Sequence, residues 1–146
     1  MNKCFITINS PPQSQGRPRF VTRGSHGFAF DPNKDKKNWA RLQISEQVKE
    51  VIKGPIEIEI IFYMPIPKST SKKKRVLMLE NEIKHQKKFD IDNLLKFTLD
   101  SMNNIAFEDD KQIWKLQSEK RYDEKPRTEV SIYWETETLP AKLPSL

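Results

Sequence analysis

The carboxylates of this chain crowd into one segment. The stretch FDIDNLLKFTLDSMNNIAFEDDKQ runs from Phe89 to Gln112, and between Asp90 and Asp110 it holds six acids, Asp90, Asp92, Asp100, Glu108, Asp109 and Asp110, with a single base, Lys96. Asp90 and Asp92 point to one side only if Asp90 lies in extended chain, because inside a helix they would diverge by about 200°. A helix beginning near residue 92 permits that arrangement. Asp92, Lys96 and Asp100, spaced by four, then share its polar face. Two chemistries compete for these acids. Carboxylates at a helix start cap free amides and suit the macrodipole, which accounts for Asp90 or Asp92 but not for Asp109 and Asp110. Three converging carboxylates would instead repel one another and hold raised pKa values unless a cation intervened. Mg²⁺, which favours oxygen ligands, is the natural cation. D-x-D spacing alone leaves both readings open.

The elements that must position these residues follow from periodicity. Residues 4–9 read as a strand, and RFVTRGSHGFAF as a hairpin or flap around Gly-Ser-His-Gly. Asp31-Pro32 looks like a helix start, with Ala40, Ile44, Val48 and Val51/Ile52 on the buried face until Gly54-Pro55. IEIEIIFYM alternates as a half-buried strand ended by Pro65 and Pro67. The polar connection 68–88 has room for two helical turns. A helix over about 92–104 buries Ile91, Leu94, Leu95, Thr98/Leu99, Met102 and Ile105, and strands over 111–122 and 128–134 follow. The order β-α-β-α-β-β predicts an α+β (mixed α/β) domain with a small four-stranded mixed sheet, helices packed on it and an N-terminal hairpin. A helix of about 13 residues is roughly 20 Å long, so the chain must double back for Asp110 to approach Asp90. A strand beside the one ending near Pro65 would bring it there.

Bulk composition narrows the classes. One hundred and forty-six residues suit a single domain, 1–146, with about 136–146 a loose tail. The start is too short and polar for a signal peptide, no apolar run spans a bilayer, and the lone Cys4 excludes an internal disulfide. A reducing cytoplasm is the expected setting. His26 and His85 lack metal-pair spacing, Cys4 reads as core, and the absence of a glycine-rich phosphate loop argues against a nucleotide cofactor. The net charge of +6 is uneven, with eighteen bases against eight acids in residues 1–89 and eight against twelve in 90–146. A basic body beside an acidic patch points to a polyanionic partner, most simply nucleic acid.

The full string Asp90-Ile91-Asp92-Asn93-Leu94-Leu95-Lys96, Leu99-Asp100-Ser101-Met102-Asn103, Glu108-Asp109-Asp110-Lys111-Gln112-Ile113 is similar to the signature of the RusA family of Holliday-junction resolvases. Gly16-Arg17-Pro18-Arg19, Ser71-Lys72-Lys73-Lys74-Arg75 and Lys120-x-Tyr122 keep the family order, and the match spans about residues 5–134. The resemblance implies a homodimeric, Mg²⁺-dependent endodeoxyribonuclease, bacterial or phage-encoded, with Mn²⁺ a possible substitute. It would cut four-way DNA by paired symmetric nicks. It places the essential carboxylates on Asp90, Asp92 and Asp110 and the functional lysine on Lys96. Asn93 and Asp100 read as neighbours that support the site, with Asp100 equally a structural residue. Asp109, taken as a strand neighbour of Asp110 and so facing away, is not counted as a ligand. Arg17, Arg19, Arg23, Lys72, Lys73, Lys74, Arg75, Lys87 and Lys88 are the expected phosphate contacts. Phe89 stands where many members have Pro, and the 68–88 connection exceeds that of the shortest members. A non-catalytic DNA-binding protein, or a nuclease acting on forks, flaps or RNA, is the alternative.

Overall fold

A computed structural model describes residues 1–16, 19–24 and 26–136, with the side chains of 19, 21, 23, 26 and 28–30 outside that description. The proposed tail beyond residue 136 and the Arg17 position also lie outside the described residues. Strands β1 (Asn2–Ile8), β4 (Ile56–Pro65), β5 (Ile113–Asp123) and β6 (Arg127–Trp134) form one mixed sheet in the order β1-β6-β4-β5. β6 runs antiparallel to both β1 and β4, while β5 runs parallel to β4. Between β1 and the first helix, β2 (Arg19–Arg23) and β3 (His26–Phe30) make the expected hairpin as a separate two-stranded sheet. Helices α1 (Lys34–Gln47), α2 (Lys72–Leu79) and α3 (Ile91–Met102) complete the α+β fold. No helix among the described residues is long and apolar enough to cross a membrane.

The alternation of β4 dictates which face carries the core. Ile56, Ile58, Ile60, Phe62 and Met64 are all buried, joined by Ile6 and Ile8 of β1 and Val130 and Ile132 of β6. Ala40 and Ile44 of α1 and Leu94, Phe97 and Met102 of α3 cover this face, and Ala106 and Phe107 seal one end. Each fully buried Ile or Phe here contributes about 1.5–3 kcal/mol. α3 therefore has no freedom to rotate, and its polar face stays outward with Asp92 and Lys96 exposed.

Three boundaries differ from expectation for local reasons. α1 starts at Lys34 rather than at Pro32, because the Asp31 carboxylate accepts the Asn33 N–H at 2.8 Å and forms a turn ahead of the helix. It ends at Gln47, where Val48 turns extended, and Ile52 reaches the core through a bridge to Phe107 instead of through helix. The third difference concerns Asp110. It does not open a strand but begins a 3-10 turn, Asp110–Gln112, ahead of β5.

Candidate functional site

Asp90 is the N-cap of α3, with φ −65° and ψ 140°, the extended geometry that Asp90 and Asp92 need in order to point to one side. An aspartate here ordinarily accepts an amide hydrogen of the first turn, but Asp90 makes no side-chain cap bond. Its backbone is held on both sides instead. The Leu94 N–H donates to the Asp90 carbonyl at 3.2 Å, and the carbonyl just before it, on Phe89, accepts from Lys120 Nζ at 2.9 Å. The Asp90 carboxylate is exposed and free of hydrogen bonds within the described residues. Asp92, one residue inside the helix, has an exposed carboxylate that accepts the neighbouring Asn93 N–H at 3.0 Å. Lys96 is exposed one turn further along.

The opposite end of α3 is built around a second acidic group. Asp109 caps the 3-10 turn by accepting the Lys111 N–H at 3.2 Å, and the Gln112 side chain accepts the Asp109 N–H in return. Gln112 also donates to the Ile52 and Gly54 carbonyls, fixing the turn to the start of β4. Asp109 and Asp110 therefore do not face apart as strand neighbours would. Interaction between the two neighbouring carboxyls raises the Asp110 pKa and lowers that of Asp109. Burial and the charges of Asp109 and Asp100 push Asp110 further the same way, while the Lys111 amide helps hold Asp109 down.

Asp100 links this end to α1. Lys37 Nζ lies 2.9 Å from Asp31 Oδ2 and 3.9 Å from Asp100 Oδ2, and 5.9 Å from the Phe97 ring centroid. The Lys37 hydrogen bond, with the Asn33 amide, holds the Asp31 carboxyl below its ordinary range. Arg41 Nη1 donates to the carbonyls of Asp100, Ser101 and Asn103, satisfying the open C-terminus of α3. The backbone then turns at Asn104, with φ 66°. Neither Lys37 nor Arg41 was visible as a site-shaping residue in sequence, because each meets the end of α3 across more than fifty residues of chain.

The structure thus presents two acidic groups rather than one. β5 pairs parallel to β4, so Pro65 lies opposite Asp123, far from the strand end that follows Asp110. The Phe89 carbonyl just ahead of Asp90 is instead bonded to Lys120, seven residues along β5 and about 23 Å from its start. Asp92 and Asp100 stand about 12 Å apart along the helix axis. Among the described residues no three Asp, Glu, His or Cys side chains gather closely enough to hold a metal ion. The doubling back expected to join Asp110 to Asp90 within one chain is not formed, since a parallel partner strand sends Asp110 to the other end of the sheet. In kind, the donors still fit a hard divalent ion, because Asp90, Asp92 and Asp110 offer only oxygen and Asp110 sits in an excess of negative charge.

The expected phosphate contacts divide. Lys72, Lys73 and Lys74 are exposed in the first turn of α2, whose N-cap Ser71 accepts the Lys74 N–H at 3.3 Å. Cations at a helix N-terminus oppose the macrodipole, so a negative partner would relieve them. Arg75 is already engaged, making two bonds of 2.9 and 3.0 Å to Glu124 that moor α2 to the β5–β6 turn. Lys87 and Lys88 are exposed beside Asp90, with Lys88 Nζ 5.8 Å from the Phe89 ring centroid. Arg19 and Arg23 lie on the hairpin strands, and their side chains are not described. His85 stacks on Tyr122 with centroids 4.8 Å apart, and burial together with the Lys120 charge lowers its pKa. Cys4 packs partly buried against the core, and burial raises its pKa.

The site belongs to an α+β domain with a short mixed sheet, a separate two-stranded hairpin, and acidic groups toward both ends of an exposed helix face. Comparison with known proteins gives the family. The family model for endodeoxyribonuclease RusA matches residues 9–133, and the chain belongs to the RusA endodeoxyribonuclease family. It is also 36% identical over 137 residues to the Bacillus subtilis (strain 168) protein named "Uncharacterized protein YqaN", covering 90% of this chain and 96% of that one.

Proposed function

We propose that this chain is a Mg²⁺-dependent, structure-selective endodeoxyribonuclease that resolves four-way DNA junctions by paired nicks as a homodimer. The observation that carries the reading is the Asp90 carboxylate, which sits at a helix cap but caps nothing while its backbone is fixed on both sides. Asp110 likewise leaves the capping to Asp109. Two carboxylates without a structural task, in a family of endodeoxyribonucleases, are the residues that would hold the ion with Asp92. Bound there, Mg²⁺ would supply Lewis acidity and a water of lowered pKa. Lys96, exposed on the helix face of Asp92, offers a positive charge to the scissile phosphate. Lys72–Lys74, Lys87 and Lys88 draw the polyanion in. Because the Asp90–Asp92 and Asp110 groups lie at opposite ends of α3, a complete donor set is most simply assembled between two copies. Two-fold symmetry would then give two such sites for two nicks.

The test is cleavage of a synthetic four-way junction by the wild type with Mg²⁺, with Mn²⁺, and with EDTA. The junction is compared with a fork, a flap, a duplex and an RNA hairpin under one condition. Junction nicking that needs the divalent ion, with Asp90→Asn and Asp110→Asn inactive but still binding, is the expected result. Tight junction binding without cleavage in either ion would make the chain a binding protein, and preference for another branched or RNA substrate would reassign the substrate.

A further inference from the structure

Lys120 lies near the end of β5 on a half-buried stem. Its ammonium donates to the Lys87 carbonyl at 3.0 Å and to the Phe89 carbonyl at 2.9 Å. Those two carbonyls flank Lys88 and Phe89, the two residues just ahead of Asp90. A bond from a charged donor contributes more than a neutral one, and two from one ammonium fix a position rather than merely attracting the loop. Beside it on the same strand, Tyr122 is buried and carries the His85 ring, so the segment 85–89 rests on β5 at two points. α2 reaches the same region through the Arg75–Glu124 pair. The loop delivering Asp90 thus has few bonds of its own and is located chiefly by β5.

We infer that Lys120 is a positioning residue: by holding the Lys87 and Phe89 carbonyls it sets the place and orientation of Asp90 at the start of α3. The inference rests on the reading of Asp90 as a metal-binding carboxylate. A lysine bonded to two backbone carbonyls is poorly placed to serve as a phosphate contact, which distinguishes it from the exposed Lys87 and Lys88. Residues that orient a metal-binding carboxylate typically change metal affinity or activity by about 10–100-fold when removed.

The experiment compares wild type, Lys120→Met and Lys120→Arg by hydrogen exchange over peptides covering residues 84–94, by Mn²⁺ binding, and by junction cleavage. Lys120→Met should speed exchange in that segment, weaken Mn²⁺ binding by roughly 10-fold and lower kcat by about 10–100-fold, with KM for the junction within about 2-fold. Lys120→Arg, whose planar fork can still reach both carbonyls, should restore most of each. Unchanged exchange in Lys120→Met overturns the inference whether or not the protein cuts DNA. So does a raised junction KM with kcat intact, the mark of a phosphate-binding lysine. If Lys120→Met does not fold, Lys120→Arg decides: exchange as fast as expected without the two carbonyl bonds, and Mn²⁺ binding as weak, also overturn it. A wild type that neither cuts junctions nor binds Mn²⁺, while Lys120→Met still loosens 84–94, defeats the nuclease reading and leaves the loop-holding role of Lys120 standing.

Discussion

Replacing Asp110 with asparagine removes one negative charge but keeps the shape, and its amide N–H can still donate to the Asp109 carboxylate. In the wild type the interaction with the Asp109 carboxyl raises the Asp110 pKa above its ordinary 3.8, helped by partial desolvation and by the charges of Asp109 and Asp100. A carboxyl whose pKa is raised by folding contributes favourably below the unfolded value. That contribution is lost as pH rises through the folded value. At neutral pH the wild type therefore carries a repulsion that asparagine lacks. The side chain is exposed, so screening limits the effect to about 0.2–1 kcal/mol, or a rise in Tm of roughly 1–4 °C for a chain of this length. The assay is thermal unfolding in EDTA from pH 7 to pH 3.5. Asp110→Asn should melt higher at pH 7, and the gap should close as pH falls below about 4. A variant that melts lower than wild type at pH 7 would refute the reasoning, because it would give Asp110 a stabilising role and remove the case for a site kept at the expense of stability.

Lys37→Met should melt about 2–4 °C lower at pH 7, reflecting about 1 kcal/mol for a partly exposed charged hydrogen bond. The Asp31 pKa is lowered, chiefly by that bond, so the contribution is present above the unfolded value and is lost as pH falls through the folded one. The gap should shrink in acid, and a gap independent of pH down to 3 would contradict the assignment. Lys72→Gln, Lys73→Gln and Lys74→Gln combined should flatten the dependence of log K on log[salt] for junction binding by about 0.9 for each phosphate left without its lysine. An unchanged slope would remove α2 from the DNA path. Arg75→Gln, by contrast, should lower Tm more than it alters the salt slope, since Arg75 already pairs with Glu124.

The elements whose periodicity is strong were legible from the chain. The alternating run from Ile56 to Met64 and the stripe of α3 specify the core face, and that face alone determines that Asp92 and Lys96 point outward. A helix start near residue 92 permitted the extended geometry that Asp90 adopts. That β5 lies beside β4 was anticipated, but the direction of the pairing was not legible. Whether β5 pairs with β4 parallel or antiparallel depends on long-range packing, and that choice places Asp110 at one end of the sheet and Asp90 at the other. The capping pair Asp109–Gln112 was hidden because its turn reads as the start of a strand. Lys120 was legible only as part of the Lys120-x-Tyr122 resemblance, without a role, and Lys37 and Arg41 not at all, because bonds to backbone carbonyls or to acids distant in sequence leave no local signature.

The separation of Asp90 from Asp110 makes a mixing experiment decisive. Asp90→Asn and Asp110→Asn proteins, each expected to be inactive alone, are mixed under conditions that allow subunits to exchange and are assayed on a four-way junction with Mg²⁺. If each ion is held by Asp90 and Asp92 of one copy and Asp110 of another, the mixed dimer contains one intact site, and nicking of a single strand should return. If mixing restores nothing although mixed dimers form, the carboxylates do not work together across two copies, and the proposed metal site is contradicted.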